Sequence, residues 1–413
     1  MQDPDPEYAA SWFVRVIRHA IIVMAVLVAV VIAAIVACWF AVRPARPDAF
    51  YGAPSNMPGK PGVLLRAEAF TRHVPAGARA WLILYTTTRG NGSPAVASAL
   101  VVESRTPHAG PRPIIDWAHG TSGIVPGCAP SLLPDPFYGV PAFDALLAKG
   151  WVFVATDYTG LGTQGPHPYL IGEGEARPVL DAIRAVRQLP AAQAGNRAVV
   201  WGHSQGGHAA LWAGILAPDY APDANVAGVA ALAPASDLPA LIEAVKDGAP
   251  GRVLSSYVLF TESEVYPDIS FDRYVRPLVR PLARDMARRC LVGKAATFSV
   301  LEALLSGGSI FRIDPDQGAL GAHLAQNVPR AHIGVPVLVA QGLSDDLVSP
   351  QIQARYVERQ CRAGQAIDYA TYAGRGHMGL VLPGTPLDRD LLRWTQARFD
   401  GAPAPQGCRF TRH

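Results

Sequence analysis

Val199-Val200-Trp201-Gly202-His203-Ser204-Gln205-Gly206-Gly207-His208 is the stretch on which the fold of this chain turns. A short β-branched run suited to a buried strand meets Gly-x-Ser-x-Gly and then Ala209-Ala210-Leu211-Trp212-Ala213, a favourable helix start. Strand, tight turn and helix follow one another, with a serine at the apex. The flanking glycines have a physical task there, because a serine held at a strained turn with positive φ leaves no room for Cβ atoms two residues to either side. Ser204 is the candidate nucleophile. In a chain with 39 glycines the short pattern also arises by chance, so its surroundings must decide.

Outward from this turn, buried strands and helices alternate. Strands are predicted at Pro113 to Trp117, Val152 to Thr156, Ala198 to Trp201, Val226 to Leu232, Val335 to Ala340 and Ile367 to Tyr372. Helices are predicted near Phe143 to Lys149, Pro178 to Leu189, Gly206 to Leu216, Gln351 to Cys361 and Leu387 to Phe399, with Pro178 in a first turn where no N–H is needed. Ahead of them, Ala80 to Thr88 and Ala97 to Val102 flank Arg89-Gly90-Asn91-Gly92-Ser93-Pro94, a hairpin signal. The class is α/β: a mostly parallel sheet with helices on both faces. One interval breaks the rhythm. Residues 236–327 carry helical, amphipathic text at Leu238 to Val245, Tyr274 to Arg289 and Ala295 to Leu305, which reads as a helical lid or cap inserted into a core made of 63–235 and 328–413.

A serine hydroxyl is a weak nucleophile and needs a base that is itself oriented by a third group. In such sheets the order is Ser, then Asp or Glu, then His, on loops that follow strands. Pro336 to Ala340 runs into Gln341-Gly342-Leu343-Ser344-Asp345-Asp346-Leu347-Val348, and Asp345 is preferred over Asp346 as the earlier acid in Gly-x-x-Asp-x-x-Val. The next strand ends in Ala373-Gly374-Arg375-Gly376-His377, which makes His377 the candidate base. A developing oxyanion needs two backbone donors. The N–H of Gln205 is one candidate, and the N–H of Thr121, in His119-Gly120-Thr121-Ser122 after an earlier strand, is the other. His203 and His208 flank the serine without an assigned role. No His-x-x-x-His or paired Cys-x-x-Cys occurs, so no metal or other cofactor is expected.

Residues 1–19 lead into an uncharged apolar segment at 20–42, followed by a Pro- and Gly-rich stretch at 43–62 that reads as an extended linker. At about 1.5 Å per residue, the apolar segment is long enough to span a bilayer. Three fates are open: an uncleaved anchor, which its length favours, a cleaved secretory signal, or a lipoprotein signal ending at Cys38. The expected location is the cell envelope, membrane-anchored with the folded part outside the cytoplasm, or secreted after cleavage. Apart from Cys38, the cysteines are Cys128, Cys290, Cys361 and Cys408, an even set that points to two disulfides in an oxidising compartment. All three connectivities are open, with Cys128–Cys290 and Cys361–Cys408 preferred. The formal net charge of +3 and the lack of Arg/Lys-rich stretches with interleaved aromatics exclude a nucleic-acid footprint, and no obligate protein partner is implied.

Four segments taken together resemble one family. They are Ala118-His119-Gly120-Thr121-Ser122-Gly123 followed by Cys128-Ala129-Pro130-Ser131, Asp157-Tyr158-Thr159-Gly160-Leu161-Gly162-Thr163, His167-Pro168-Tyr169, and Gly202-His203-Ser204-Gln205-Gly206-Gly207. This combination is similar to the secretory lipase family, over roughly residues 50–399. The resemblance implies an α/β-hydrolase fold with a helical lid, cofactor-free hydrolysis of carboxylic esters including acylglycerols, and a triad at Ser204, Asp345 and His377. It also implies the pairing of Cys128 with Cys290. The rivals are an acyltransferase or peptidase on the same triad, and a non-catalytic envelope binding protein that kept the fold.

Overall fold

A computed structural model describes residues 6–413, and the chain divides into a unit that ends at Arg43 and a body, Pro44–His413. In the first unit a single helix, α1 (Pro6–Ala41), begins ahead of the apolar segment expected at 20–42. Its Val14–Ala41 portion, 28 residues, is long and apolar enough to cross a membrane.

The body starts with β1 (Leu64–Phe70), β2 (Ala78–Thr88) and β3 (Pro94–Ser104). Next come β4 (Arg112–Ala118), α2 (Phe143–Ala148), β5 (Val152–Tyr158), α3 (Gly172–Val186), β6 (Ala194–His203), α4 (Gln205–Tyr220) and β7 (Val226–Leu232). Six helices follow: α5 (Leu238–Val245), α6 (Ala249–Val265), α7 (Phe271–Tyr274), α8 (Arg280–Ala287), α9 (Gly293–Leu305) and α10 (Gly318–Gln326). The chain closes with β8 (Val337–Gly342), α11 (Pro350–Arg362), β9 (Ile367–Tyr372), α12 (Pro386–Phe399) and β10 (Arg409–Arg412).

All strands join one ten-stranded sheet in the order β1-β2-β3-β5-β4-β6-β7-β8-β9-β10. β1 to β3 are antiparallel to their neighbours, and every pairing from β5 to β10 is parallel. The two-residue period of β6 divides the core between the faces. Val200 joins Val179, Ile183 and Leu211 on the α3–α4 face. Val199 and Trp201 join Leu146, Leu387 and Leu391 on the other. Each such aliphatic side chain taken fully out of water contributes about 1.5–3 kcal/mol, which fixes the register of the central strand. Trp201 also donates its indole N–H to Thr395 Oγ1 at 3.0 Å. The α5–α10 insertion packs a third core around Val253, Tyr257, Met286 and Leu320, which takes in Ile124, Tyr169 and Leu170 from loops of the body.

Several local expectations need correction. The stretch 43–62 is not an extended linker. Phe50 and Tyr51 are buried against Leu84 and Val96, and Tyr51 Oη bonds Ser131 Oγ at 2.9 Å, because two aromatic rings within the Pro-rich text gain more by packing on the sheet than by staying solvated. Pro178 lies inside α3, not in its first turn. The helix begins six residues earlier, where Glu173 and Glu175 favour an N-terminus, and the Pro178 carbonyl accepts from Tyr85 Oη at 2.8 Å. The helix expected over Tyr274 to Arg289 is broken around Pro277, giving α7, a short 3-10 turn and α8. Four elements, β1, β10, α6 and α10, were not expected at all.

Candidate active site

Ser204 sits between β6 and α4 at φ 59° and ψ −118°, a left-handed conformation that costs a non-glycine residue on the order of 1–3 kcal/mol. Its N–H donates to the Leu232 carbonyl at 2.9 Å, and its carbonyl accepts from His208 and Ala235, each at 3.1 Å. The flanking glycines allow the turn to close. A Cβ on Gly202 would lie 1.9 Å from the Gly206 carbonyl oxygen, and one on Gly206 would lie 1.8 Å from that of Ala118. Close backbone approach, rather than positive φ at the glycines themselves, is what requires them.

The other two predicted groups converge on this serine. His377 Nε2 is 2.9 Å from Ser204 Oγ, and His377 Nδ1 is 2.8 Å from Asp345 Oδ2. Asp345 is buried, whereas Asp346 faces solvent. The Asp345 carboxylate accepts from the N–H groups of Leu347 (2.9 Å) and Val348 (2.8 Å) through Oδ1, and from Gln341 Nε2 (3.2 Å) through Oδ2. Burial alone would raise its pKa. The hydrogen bond and charge of His377, with the two backbone donors, outweigh that and hold it below the ordinary carboxylate value.

Gln205 heads α4, so its N–H belongs to the first turn, where helical donors have no intrahelical acceptor. The Thr121 N–H has no hydrogen-bond partner among the described residues. Both residues line the cavity that contains Ser204, and Gly120 brings the Thr121 loop close: a Cβ on Gly120 would lie 3.7 Å from Ser204 Cβ. That loop is pinned by Tyr158, whose hydroxyl donates to the His119 carbonyl at 3.0 Å. Tyr158 itself adopts φ 64° in the Asp-Tyr-Thr-Gly motif. The preceding Asp157 accepts from Ser98 Oγ, Ser131 Oγ and Ser131 N. Burial, opposed by those hydrogen bonds, raises its pKa to about 6.

The cavity over Ser204 has a volume of about 780 Å³. Leu238, Leu241, Ile242 and Val245 of α5 and Leu254 and Val258 of α6 wall it on one side, with Trp117, Leu133 and Val348 elsewhere. The only formal charges along its lining are Asp135 and Lys294.

Two histidines without an expected role have buried partners. His203 donates from Nε2 to the His377 carbonyl at 3.1 Å, and burial, then the adjacent His377, lower its pKa to about 3. It is a neutral brace behind the imidazole. His208 is enclosed, with Nδ1 2.8 Å from Glu175 Oε2 and Nε2 2.7 Å from the Asn327 carbonyl. The one sequence signal was an acid, Glu175, on the face of α3 that otherwise presents Ala176, Val179 and Leu180 to the core.

A profile described as "Secretory lipase" matches residues 141–407. The chain belongs to the secretory lipase family. It is a carboxylic-ester hydrolase of the lipase/esterase type. Lipase 6 of Candida albicans is 24% identical over 91% of this chain and 86% of that protein, and Lipase A of Arthroderma benhamiae is 26% identical over 89% and 82%. Among solved structures, Candida antarctica lipase A in its closed state superposes with a TM-score of 0.71 at 20% identity, covering 87% of each chain. The ligand-bound rice cell wall degrading esterase LipA from Xanthomonas oryzae gives 0.63 at 19% identity, over 82% of this chain and 97% of that one. Both share the α/β-hydrolase fold with this lipase.

The lipase carries disulfides between Cys128 and Cys290, with Cα atoms 5.2 Å apart, and between Cys361 and Cys408, 6.0 Å apart. The first ties the loop after β4 to the α5–α10 insertion, and the second ties α11 to the start of β10. Two disulfides in a secretory family fit an exported protein.

Proposed function

We propose that Ser204 is the nucleophile, His377 the general base and acid, and Asp345 the group that holds the imidazole with its hydrogen on Nδ1. His377 takes the Ser204 proton as Oγ attacks the ester carbonyl, and then returns it to the departing alcohol. Water, activated by the same imidazole, releases the acyl group. The Gln205 and Thr121 N–H groups receive the oxyanion of each tetrahedral intermediate. The observation that carries this reading is the unbroken hydrogen-bonded series from Ser204 Oγ through His377 to a buried Asp345. Ser204→Ala tests it: turnover of p-nitrophenyl esters should be lost almost entirely, and substantial residual activity in a clean preparation overturns it.

The apolar cavity supports a lipophilic acyl group as the part of the substrate held beside Ser204, in a space of ordinary ligand-site size. Residues 236–327 serve as a lid over the core formed by 63–235 and 328–413. Its α5 and α6 supply much of the acyl wall, so acyl preference belongs to the insertion. Hydrolysis rates across ester chain lengths, with and without an emulsion interface, test this; rates indifferent to Leu241→Trp at every length would contradict it. The Val14–Ala41 helix supports a membrane anchor that keeps the lipase at the cell envelope. Retention of the full-length chain in membranes after alkaline carbonate extraction is expected, and release into the soluble fraction overturns the anchor.

A further inference from the structure

Glu175 of α3 is wholly buried, yet each of its oxygens is engaged. Oε1 accepts from the Leu170 N–H and from Gln205 Nε2, both at 2.8 Å, and Oε2 faces His208 Nδ1 at 2.8 Å. The second amide hydrogen of Gln205 goes to His167 Nε2 at 3.0 Å. His167 can accept there because its Nδ1 donates to the Thr159 carbonyl at 3.0 Å, and burial keeps the ring neutral, its pKa lowered to about 3. Both hydrogens of the Gln205 carboxamide are therefore fixed, and with them the first residue of α4.

The same carboxylate reaches the opposite side of the site. Leu170, which it holds, follows Tyr169, whose hydroxyl bonds Thr121 Oγ1 at 3.0 Å. His208, its other partner, faces an acceptor at each ring nitrogen. The far acceptor is the carbonyl of Asn327, the residue at which the chain leaves α10 to rejoin the core. Asn327 is held in turn by Trp212 Nε1, which donates to the same carbonyl at 3.0 Å, and by the Gly172 N–H, which donates to its Oδ1 at 2.9 Å.

We propose that Glu175 and His208 are positioning residues for the two oxyanion donors, a buried pair that fixes Gln205 and Thr121 beside Ser204 and ties their placement to Asn327 at the exit of the helical insertion. The inference rests on the roles given above to Ser204, Gln205 and Thr121. Neither residue touches substrate. Their effect falls on the transition state, where the donors meet full negative charge, rather than on the bound ester.

The test uses the full-length protein and a water-soluble p-nitrophenyl ester. Glu175→Leu removes all three acceptor contacts. It should lower kcat by about 10- to 100-fold with KM within about twofold, since one displaced oxyanion donor costs no more than its outright removal. Inactivation by a fluorophosphonate should slow in parallel. Glu175→Gln, whose amide oxygen can still accept from Leu170 and Gln205 while its nitrogen faces the His208 ring, should recover kcat to within about threefold of wild type. A folded Glu175→Leu protein with wild-type kcat, or one whose loss lies wholly in KM, overturns the proposal. If Glu175→Leu yields no folded protein, His208→Gln takes its place, with kcat expected to fall about tenfold and a wild-type kcat overturning the proposal. The underlying roles fail differently: a wild-type protein that never forms a fluorophosphonate adduct at Ser204 removes the nucleophile itself, and the positioning pair with it.

Discussion

Replacing Asp345 by Asn changes one atom, and the structure dictates where that atom must go. Oδ1 receives two backbone N–H groups, from Leu347 and Val348, so an amide nitrogen placed there would set donor against two donors. The nitrogen is driven instead into the Oδ2 position, 2.8 Å from His377 Nδ1. An N–H aimed at Nδ1 stabilises the tautomer whose hydrogen is on Nε2, and that nitrogen can no longer accept from Ser204 Oγ 2.9 Å away. The fold has little reason to change, since the Asn oxygen keeps the Leu347 and Val348 contacts and the Gln341 amide, which loses Oδ2 as an acceptor, still donates to the Gly342 and Val348 carbonyls. The expected loss is about 10⁴-fold in kcat at neutral pH, or about 5 kcal/mol of transition-state stabilisation. Single-turnover kinetics on a p-nitrophenyl ester, with near-ultraviolet circular dichroism as the check on folding, measures it. A folded Asp345→Asn enzyme within tenfold of wild type would refute the argument, and would direct attention to Asp346.

Other consequences are simpler to check. Gly206→Ala or Gly202→Ala should abolish both activity and stable expression, because a Cβ under 2 Å from a carbonyl oxygen forces the serine turn apart; a folded, active alanine variant contradicts that geometry. Asp157 has its folded pKa raised to about 6 from an ordinary 3.8, so its contribution to stability is full below pH 4 and is lost as pH rises through 6, by about 3 kcal/mol in all. The stability of Asp157→Asn relative to wild type, from urea unfolding, should therefore improve by about that amount between pH 4 and pH 7, and a flat difference would be inconsistent with the burial described. Loss of the Cys128–Cys290 bond, which closes a separation of 162 residues, should cost up to about 5 kcal/mol on the chain-entropy estimate, seen as a lowered denaturation midpoint in Cys128→Ser/Cys290→Ser. An unchanged midpoint would show that the insertion is held by the core it shares with Ile124, Tyr169 and Leu170 without help from the bond.

The central strands and the serine turn were legible because their signals are local. A β-branched run, a Gly-x-Ser-x-Gly turn and an alanine-rich helix start stand within a few residues of each other, and Asp345 and His377 each follow a strand that announces itself. The preference for Asp345 over Asp346 could be read from its place in the loop, and the reason appears only in three dimensions, where backbone donors surround one carboxylate and solvent the other. What escaped detection depends on distant partners. β10 is four exposed residues with no apolar pattern, paired to β9 at the sheet edge and attached through Cys408. α6 opens with Ala249-Pro250-Gly251, which reads as a break but places proline in the first turn of a helix. Phe50 and Tyr51 stand in Pro-rich text, and only the groove at Leu84 and Val96 turns that text into part of the body. The roles of His203 and His208 depend on a carbonyl at His377 and a carboxylate at Glu175, neither of which a sequence neighbour can reveal.

The claim that Ser204 is an activated nucleophile can be tested by mass. Wild-type protein treated with a fluorophosphonate should gain one phosphonyl group, located by peptide mapping to the segment containing Ser204, with complete and parallel loss of ester hydrolysis. Ser204→Ala should gain none. An unlabelled, fully active wild-type enzyme, or an adduct on a different residue, would contradict the mechanism.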